Sequence, residues 1–375
     1  MKTLFYCHHS VGIGHLIRTL RLAEASLANG PVMLLSGGAI PSGLAIDPRI
    51  RVVQLPPLRM DSDNALIDAN GEGDVEVIFA ERRLIAVRSV RIFLPDAVVI
   101  EMFPFGRKKF AAEVLAIIAA AREVNRTKVI SSVRDVLVTK RRDQDRHDLR
   151  AALTLNENFD AVLVHSDQNL IKLDATFSTL AKIEIPVYYT GYISSTSRTE
   201  RPERSRQIVV SAGGGRVGSE LVDAALESYP RIKRDLDLDM LIVTGPNADE
   251  RPRYTNGDKG PRIVEFIDDL PSVFARSMIS VSQCGYNTAV DVLKTRTPAI
   301  FVPYEAASED EQLRRAELLA KKGRAVMLRQ KLLTADSITH AASELLARKQ
   351  QEEFDIDLNG ALRSSDLIRE VSTRA

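Results

Sequence analysis

The chain has 375 residues in which 51 Lys and Arg face 50 Asp and Glu, a formal net charge of +1 that argues against nucleic-acid binding by bulk electrostatics. Its two cysteines, Cys7 and Cys284, lie far apart without metal-ligand spacing, so neither a disulfide framework nor a zinc site is indicated and a reducing cytoplasm fits. No apolar stretch approaches the roughly 18 residues a membrane helix needs, the run from Met1 to Cys7 is too short for a signal peptide, and the length suits two domains with a core each.

Apolar runs bounded by turn residues alternate with longer helical patterns, which implies parallel sheets flanked by helices. In the first half, strands are expected at Thr3–Cys7, Val32–Leu35, Ile50–Gln54, Ala97–Ile100, Lys128–Ser132 and Ala161–His165. Helices are expected near Leu16–Asn29, Ile78–Phe93, Phe110–Asn125 and Arg142–Phe159. Residues 194–206 are polar and charged and hold Pro202, so they read as a linker. The second half repeats the pattern, with strands at Gln207–Ser211, Met240–Thr244, Ile263–Phe266, Met278–Val281, Ala299–Val302 and Ala325–Met327, and a closing helix at Ala335–Lys349. The expected fold is α/β, with two doubly wound Rossmann-like domains, 1–193 and 207–349, facing a cleft. Residues 350–375 either cross back to the first domain or trail along the surface. Ligands of such sheets bind beyond the carboxyl ends of the strands, so the loops there are the candidate site.

The first strand runs into His8-His9-Ser10-Val11-Gly12-Ile13-Gly14-His15. Gly12 and Gly14 allow close backbone approach and deliver His15 to a helix start with Arg18 one turn on. An imidazole there suits a general base, or else it only caps the turn. Glu101 follows the fourth strand directly and either holds the second ring nitrogen of His15 or caps the next helix. Phe103, Phe105 and Phe110 interleave with Arg107, Lys108 and Lys109. That loop is either a packed turn with solvated charges or a surface that meets an anionic membrane. Arg134 and Asp135, after the fifth strand, either hold an acceptor's phosphate or carboxylate or pair internally. His165 has no role beyond structure.

In the second half, Gly213-Gly214-Gly215-Arg216 joins a strand to a helix, leaving bare amides able to wrap an anion. Ser282-Gln283-Cys284-Gly285-Tyr286-Asn287-Thr288 does the same, with Asn287 or Thr288 expected as the helix N-cap. Such a helix start accepts a diphosphate, and Asp291, one turn in, is placed to take ribose hydroxyls. A plain capped turn is the alternative for either segment.

From Val264 through Glu311-Gln312, with its Gln-Cys-Gly-Tyr-Asn-Thr core, the chain resembles glycosyltransferase family 28, the peptidoglycan lipid-intermediate N-acetylglucosaminyltransferases. The core is also similar to the His-Cys-Gly-Trp-Asn-Ser box of plant small-molecule glycosyltransferases. The resemblance implies the two-domain GT-B fold and a nucleotide-diphosphate sugar, UDP-linked by preference, used without metal or cofactor. It further implies that Ile267 meets the base with its backbone, and that Gly213, Gly214, Gly215, Gly285, Asn287 and Thr288 hold the phosphates. Asp291 would bind the ribose, and Glu311 with Gln312 the donor sugar. His15 and Glu101 would form the catalytic pair, with Gly14, Arg134 and Asp135 on the acceptor side. Gln283 stands in place of the plant histidine and Asp291 in place of glutamate, and Gly191-Tyr192-Ile193 lacks the family's Gly-Asn-Pro. Gly12-Ile13-Gly14-His15-Leu16-Ile17-Arg18 is also similar to the turn of a nucleotide-sugar hydrolase of nonulosonic-acid synthesis.

The expected activity is that of an inverting hexosyltransferase, with hydrolysis of the donor as the alternative and a non-catalytic nucleotide-sugar sensor as the third. The acceptor is lipid-linked, as in cell-envelope synthesis, or a small metabolite. Nucleic acid is not an expected partner. The expected location is cytoplasmic, at most peripheral at the inner face of the membrane through residues 103–110.

Overall fold

Runs such as Thr3–Cys7 and Ala97–Glu101 are buried along their whole length, as strands covered by helices on both faces must be. A computed structural model describes all residues except 10–12, 42, 62–64, 72, 125, 140–141, 195–201, 215–216, 246–259, 307–308, 349–354 and 375. The chain divides into two units: Met1–Leu137 with Arg142–Ile193 and Asp357–Ala375, and Val138–Arg141 with Ser194–Ile356.

The first unit contains β1 (Thr3–Cys7), α1 (Gly14–Ser26), β2 (Val32–Ser36), β3 (Ile50–Gln54), β4 (Leu58–Met60), β5 (Leu66–Asp68), α2 (Val75–Phe93), β6 (Ala97–Glu101), α3 (Ala111–Val124), β7 (Lys128–Arg134), α4 (Gln144–Asn158), β8 (Ala161–His165) and β9 (Val187–Tyr189). Its seven-stranded sheet has the order β3-β2-β1-β6-β7-β8-β9 and is parallel throughout. Strand order reverses at β1, so β1 and β6 are neighbours, with Tyr6 opposite Ile100. The loops after these two strands therefore leave the same edge together, which is where open α/β sheets hold their ligands. Alternate residues of β1 face opposite cores: Leu4 and Tyr6 pack with α2, α3 and α4, and Phe5 and Cys7 pack with α1. The hairpin β4–β5 and the edge strand β9 were not anticipated from the sequence.

The second unit contains β10 (Ser205–Ser211), α5 (Ser219–Leu236), β11 (Asp239–Val243), β12 (Arg262–Val264), α6 (Leu270–Arg276), β13 (Ser277–Ser282), α7 (Tyr286–Thr295), β14 (Ala299–Phe301), α8 (Glu311–Lys321), β15 (Val326–Met327) and α9 (Ala335–Ala347). Its parallel sheet has the order β12-β11-β10-β13-β14-β15. The reversal here falls at β10, and Ser211 lies opposite Ser282 at the ends of β10 and β13. β10 begins inside the segment expected to be linker.

The last helix, α10 (Gly360–Thr373), belongs to the first unit. Leu367, Ile368 and Val371 are buried in the α1 core, and Asn29 Nδ2 donates to Ser365 Oγ at 2.8 Å. Tyr192 N–H donates to Asp357 at 2.7 Å, and Gly360 N–H donates back to Tyr192 at 3.0 Å. Gly191, at φ +81°, allows this close approach, because a Cβ there would lie 2.5 Å from the Asp357 carboxyl carbon. No helix among the described residues is long and apolar enough to cross a membrane.

Candidate active site

In the first unit, Gly14 opens α1 and His15 follows it, so the imidazole stands at the first turn of the helix. Glu101 is the last residue of β6, and its Oε1 lies 2.6 Å from His15 Nδ1. Arg18, one turn along α1, donates to the same oxygen, and Arg107 lies 3.9 Å from Oε2. Arg18 and Glu101 are 1% and 2% exposed, so the carboxylate has left water and depends on these partners. Arg134 ends β7 and points Nη2 at His15 Nε2, 3.4 Å away. Asp135 is fully buried.

Burial pushes His15 down to about 3; Glu101 opposes that shift, while Arg107 and Arg134 add to it. Burial by itself would raise Glu101, but His15 and Arg18 outweigh it and hold the carboxyl below its ordinary range. The two groups titrate as one unit. The carboxylate carries the charge because Arg18 and Arg107 compensate it, and the imidazole stays neutral because burial disfavours its cation and Arg107 and Arg134 add to that. An ionised carboxylate only accepts, so Nδ1 bears the hydrogen and Nε2 presents its lone pair. That is the tautomer a general base requires.

The loop after Glu101 turns inward, with Met102 and Arg107 both at positive φ. Phe103 packs on Phe159 at 6.3 Å, Phe105 meets Phe177 edge-on at 5.1 Å, and Phe110 lies 3.6 Å from the His8 ring. All three phenylalanines are buried and only Lys108 and Lys109 of the loop are exposed, which is the packed turn with solvated charges rather than an aromatic surface. His165 is fully buried between the hydroxyls of Ser132 (2.7 Å) and Thr190 (3.0 Å), a structural position. Gly12 lies outside the described residues.

In the second unit, the glycine turns after β10 and β13 are joined by Gln283. Its N–H donates to Ser211 at 3.2 Å and its Nε2 to the Val217 carbonyl at 2.8 Å. Gly213 takes φ +63°, and a Cβ added at Gly214 or Gly285 would meet nothing within 4 Å, so both turns present open backbone. Gly215 and Arg216 lie outside the described residues. α7 opens earlier than expected: Gly285 is the N-cap, without a side-chain cap, and Tyr286 is the first helical residue. Asn287 and Thr288 are thus first-turn residues rather than caps, because extended Gly285 already starts the helix and buried Tyr286 packs under Arg315 at 5.7 Å. Amides of such a turn are the ones a helix cannot satisfy itself. Asp291 is buried in the next turn, and Ile267 is half-buried in the loop between β12 and α6.

Glu311 and Gln312 open α8 and tie it to the Cys284 turn. Gln312 Oε1 accepts from Cys284 N–H (3.0 Å) and Tyr304 N–H (3.2 Å). Glu311 pairs with Arg315 at 2.8 Å, and Arg315 donates to the Cys284 carbonyl at 2.9 Å. Arg315 was missed from the sequence, although its four-residue spacing from Glu311 is a helix-pair signal. Arg107 had no signal for pointing inward, since nothing local announces a left-handed residue there.

Residues 208–370 match the family model described as the glycosyltransferase family 28 C-terminal domain. A UDP-N-acetylglucosamine–N-acetylmuramyl-(pentapeptide) pyrophosphoryl-undecaprenol N-acetylglucosamine transferase of Synechocystis sp. is 28% identical over 142 residues, 38% of this chain and 39% of that one. The enzyme of the same name from Syntrophotalea carbinolica is 31% identical over 141 residues, 36% and 39% of the two chains. The match thus spans 39% of the length of these curated relatives. Among solved structures, the glycotransferase of kitacinnamycin superposes with TM-score 0.63 at 15% identity, covering 99% of this chain and 98% of that one. Acinetobacter baumannii MurG superposes at 0.58 with 17% identity, covering 99% and 100%. These likenesses are of fold, and the fold they define is GT-B, two Rossmann-like α/β units. Over residues 208–370 the chain is thus similar to the C-terminal domain of glycosyltransferase family 28, and over its length it shares the GT-B fold.

Proposed function

We propose that the protein is an inverting, metal-independent glycosyltransferase that moves a hexose-type sugar from a UDP-sugar to an acceptor hydroxyl. The observation that carries this reading is the His15–Glu101 pair, a half-buried imidazole oriented by a buried carboxylate so that its second nitrogen carries the lone pair of a base. His15 Nε2 takes the hydroxyl proton as the oxygen forms its bond to the anomeric carbon and the bond to the diphosphate breaks. One displacement inverts that carbon. Glu101 stabilises the imidazolium that forms, and positioned proton transfer of this kind contributes about 10²–10⁴ in rate. The leaving diphosphate takes hydrogen bonds from amides of the Gly213–Gly215 and Gly285–Thr288 turns, with Asp291 on the ribose and Ile267 at the base. Glu311 and Gln312 keep that cradle in place and face the donor sugar.

UDP is supported by the names of the relatives. Those names also specify a pyrophosphoryl-undecaprenol acceptor, which supports a lipid-linked acceptor at the cytoplasmic membrane face. A screen of nucleotide-sugars by thermal shift tests the donor: a ligand at a hundred times its Kd stabilises the fold by about 2.7 kcal/mol. No shift with any UDP-sugar would remove the reading. UDP release without any acceptor would turn it to hydrolysis.

A further inference from the structure

We propose that the loops after β1 and β6 form a pocket for uncharged hydroxyl groups beside the base, read by His9, Glu101 and Arg107, so that the acceptor is a neutral polyol on the carbons next to its nucleophile. This rests on the transferase reading of His15, which puts the reacting hydroxyl at Nε2. Three buried polar atoms at the ends of these strands have no hydrogen-bond partner among the described residues: Glu101 Oε2, His9 Nδ1 and Arg107 Nε. Glu101 ends β6, and His9 stands two residues past the end of β1, the neighbouring strand. Left-handed backbone at Arg107 (φ +60°) turns its side chain back, to 3.9 Å from Glu101 Oε2. Burial lowers the His9 pKa, the Ala39 carbonyl opposes that, and the charges of Arg107 and Glu101 act on the same ring, which makes the three side chains neighbours.

Each of the three atoms has a fixed role. An ionised carboxylate only accepts, and Oε2 is what remains once Oε1 has taken His15 and Arg18. His9 Nε2 lies 2.9 Å from the Ala39 carbonyl, which also only accepts, so Nε2 carries the ring hydrogen and Nδ1 is a lone pair. Arg107 Nε only donates. A matching ligand therefore donates twice and accepts once. A carboxylate or phosphate has no hydrogen for either acceptor and would meet the Glu101 charge. An ammonium group serves both acceptors but repels Arg107 and takes no hydrogen from it. Hydroxyls do both. One bridges Arg107 and Glu101 Oε2, which at 3.9 Å are too far apart to bond directly, and a hydroxyl on the next carbon donates to His9. Arg107 is 20% exposed and Glu101 2%, so Arg107 is the wall that yields as the ligand enters. A phosphate carried elsewhere on the acceptor lies beyond this pocket.

The test uses full-length protein saturated with UDP. The probes are the methyl glycosides of glucose, galactose and mannose, tetrahydropyran-4-ol with its single hydroxyl, and 2-hydroxycyclohexanecarboxylate with an anion beside its hydroxyl. Binding is read by calorimetry and by the ¹⁵N signal of His9 Nδ1. At least one glycoside should bind and shift that signal, and the single alcohol and the hydroxy acid should do neither. Arg107→Leu should weaken glycoside binding about 10- to 100-fold and His9→Phe about 2- to 10-fold, with His9→Gln, which keeps an acceptor, recovering part of it. Binding by none of the glycosides, equal binding of the hydroxy acid, or unchanged glycoside affinity in both Arg107→Leu and His9→Phe overturns the inference. The probe comparison in the unaltered protein decides even where a variant fails to fold. If a glycoside binds and shifts His9, yet neither it nor His15→Ala alters UDP release from a UDP-sugar, the pocket stands and the transferase reading falls. If tetrahydropyran-4-ol accepts sugar with the KM of the glycosides, the transferase reading stands and the pocket falls.

Discussion

Replacing Glu101 by Gln removes one charge and changes almost no volume, yet it should damage both stability and turnover. Glu101 Oε1 accepts from His15 and from Arg18, and Oε2 faces Arg107. Without the carboxylate, the buried Arg18 guanidinium loses its Glu101 partner, and breaking a buried pair from one side costs about 3–5 kcal/mol. With a shift of roughly 2–4 °C per kcal/mol for a unit of this size, the melting temperature should fall by about 6–20 °C. The amide also donates where the carboxylate accepted. His15 then carries its hydrogen on Nε2 and cannot take a proton there, so turnover should fall by about 10²–10⁴-fold, as when the aspartate of a serine-protease triad becomes asparagine. UDP affinity should be unchanged, since the donor residues lie on the other unit. Calorimetric melting, UDP titration and product release on one preparation separate the effects. A variant with wild-type melting and wild-type turnover would refute both the buried ion pair and the tautomer argument.

Two further outcomes follow from the same electrostatics. His8, His9, His15 and His165 all have folded pKa values below the ordinary 6.5, with burial the leading cause in each. Below that pH the unfolded chain binds protons that the folded chain refuses, so stability falls as pH drops below about 6.5 and returns as pH rises. With its folded value near 3, His15 alone contributes about 2 kcal/mol to the difference between pH 7 and pH 5. Glu101, held below 4.5, acts in the same direction further down: its contribution is present above about 4.5 and lost as pH falls. Urea unfolding at pH 7 and pH 5 measures this, and equal midpoints would mean these histidines are not buried neutral. Asp291→Ala should weaken UDP binding by about 10- to 150-fold, from hydrogen bonds to a charged acceptor of roughly 1.5–3 kcal/mol. Unchanged affinity by calorimetry would take Asp291 out of the donor site.

The central strands were readable because β1 and β6 are buried on both faces and must be continuous apolar runs, Thr3–Cys7 and Ala97–Glu101. The three-residue strands β4, β5 and β9 are only partly buried and leave no such run. His15 and Glu101 could be named together because each follows a strand flanking the point where strand order reverses, a relation of topology rather than spacing. The loop from Phe103 to Phe110 stayed open between a packed turn and a membrane surface for the opposite reason. Its aromatic and basic residues alternate like a membrane surface, but left-handed turns at Met102 and Arg107 take the rings inward, and no periodicity reports such a reversal. The start of α7 slipped for a local reason: Asn and Thr are favoured caps by type, and extended Gly285 already fills that position. Glu311 and Gln312 could be named through the family resemblance alone, and their bonds to the Cys284 turn depend on how α8 packs.

The most direct test compares wild type and His15→Ala for sugar transfer and for UDP-sugar binding in parallel. Transfer should fall by at least about 10²-fold with donor affinity intact, because His15 acts on the acceptor proton and not on the nucleotide. Full transfer in the variant, or a loss of donor affinity matching the loss of rate, would contradict His15 as the base.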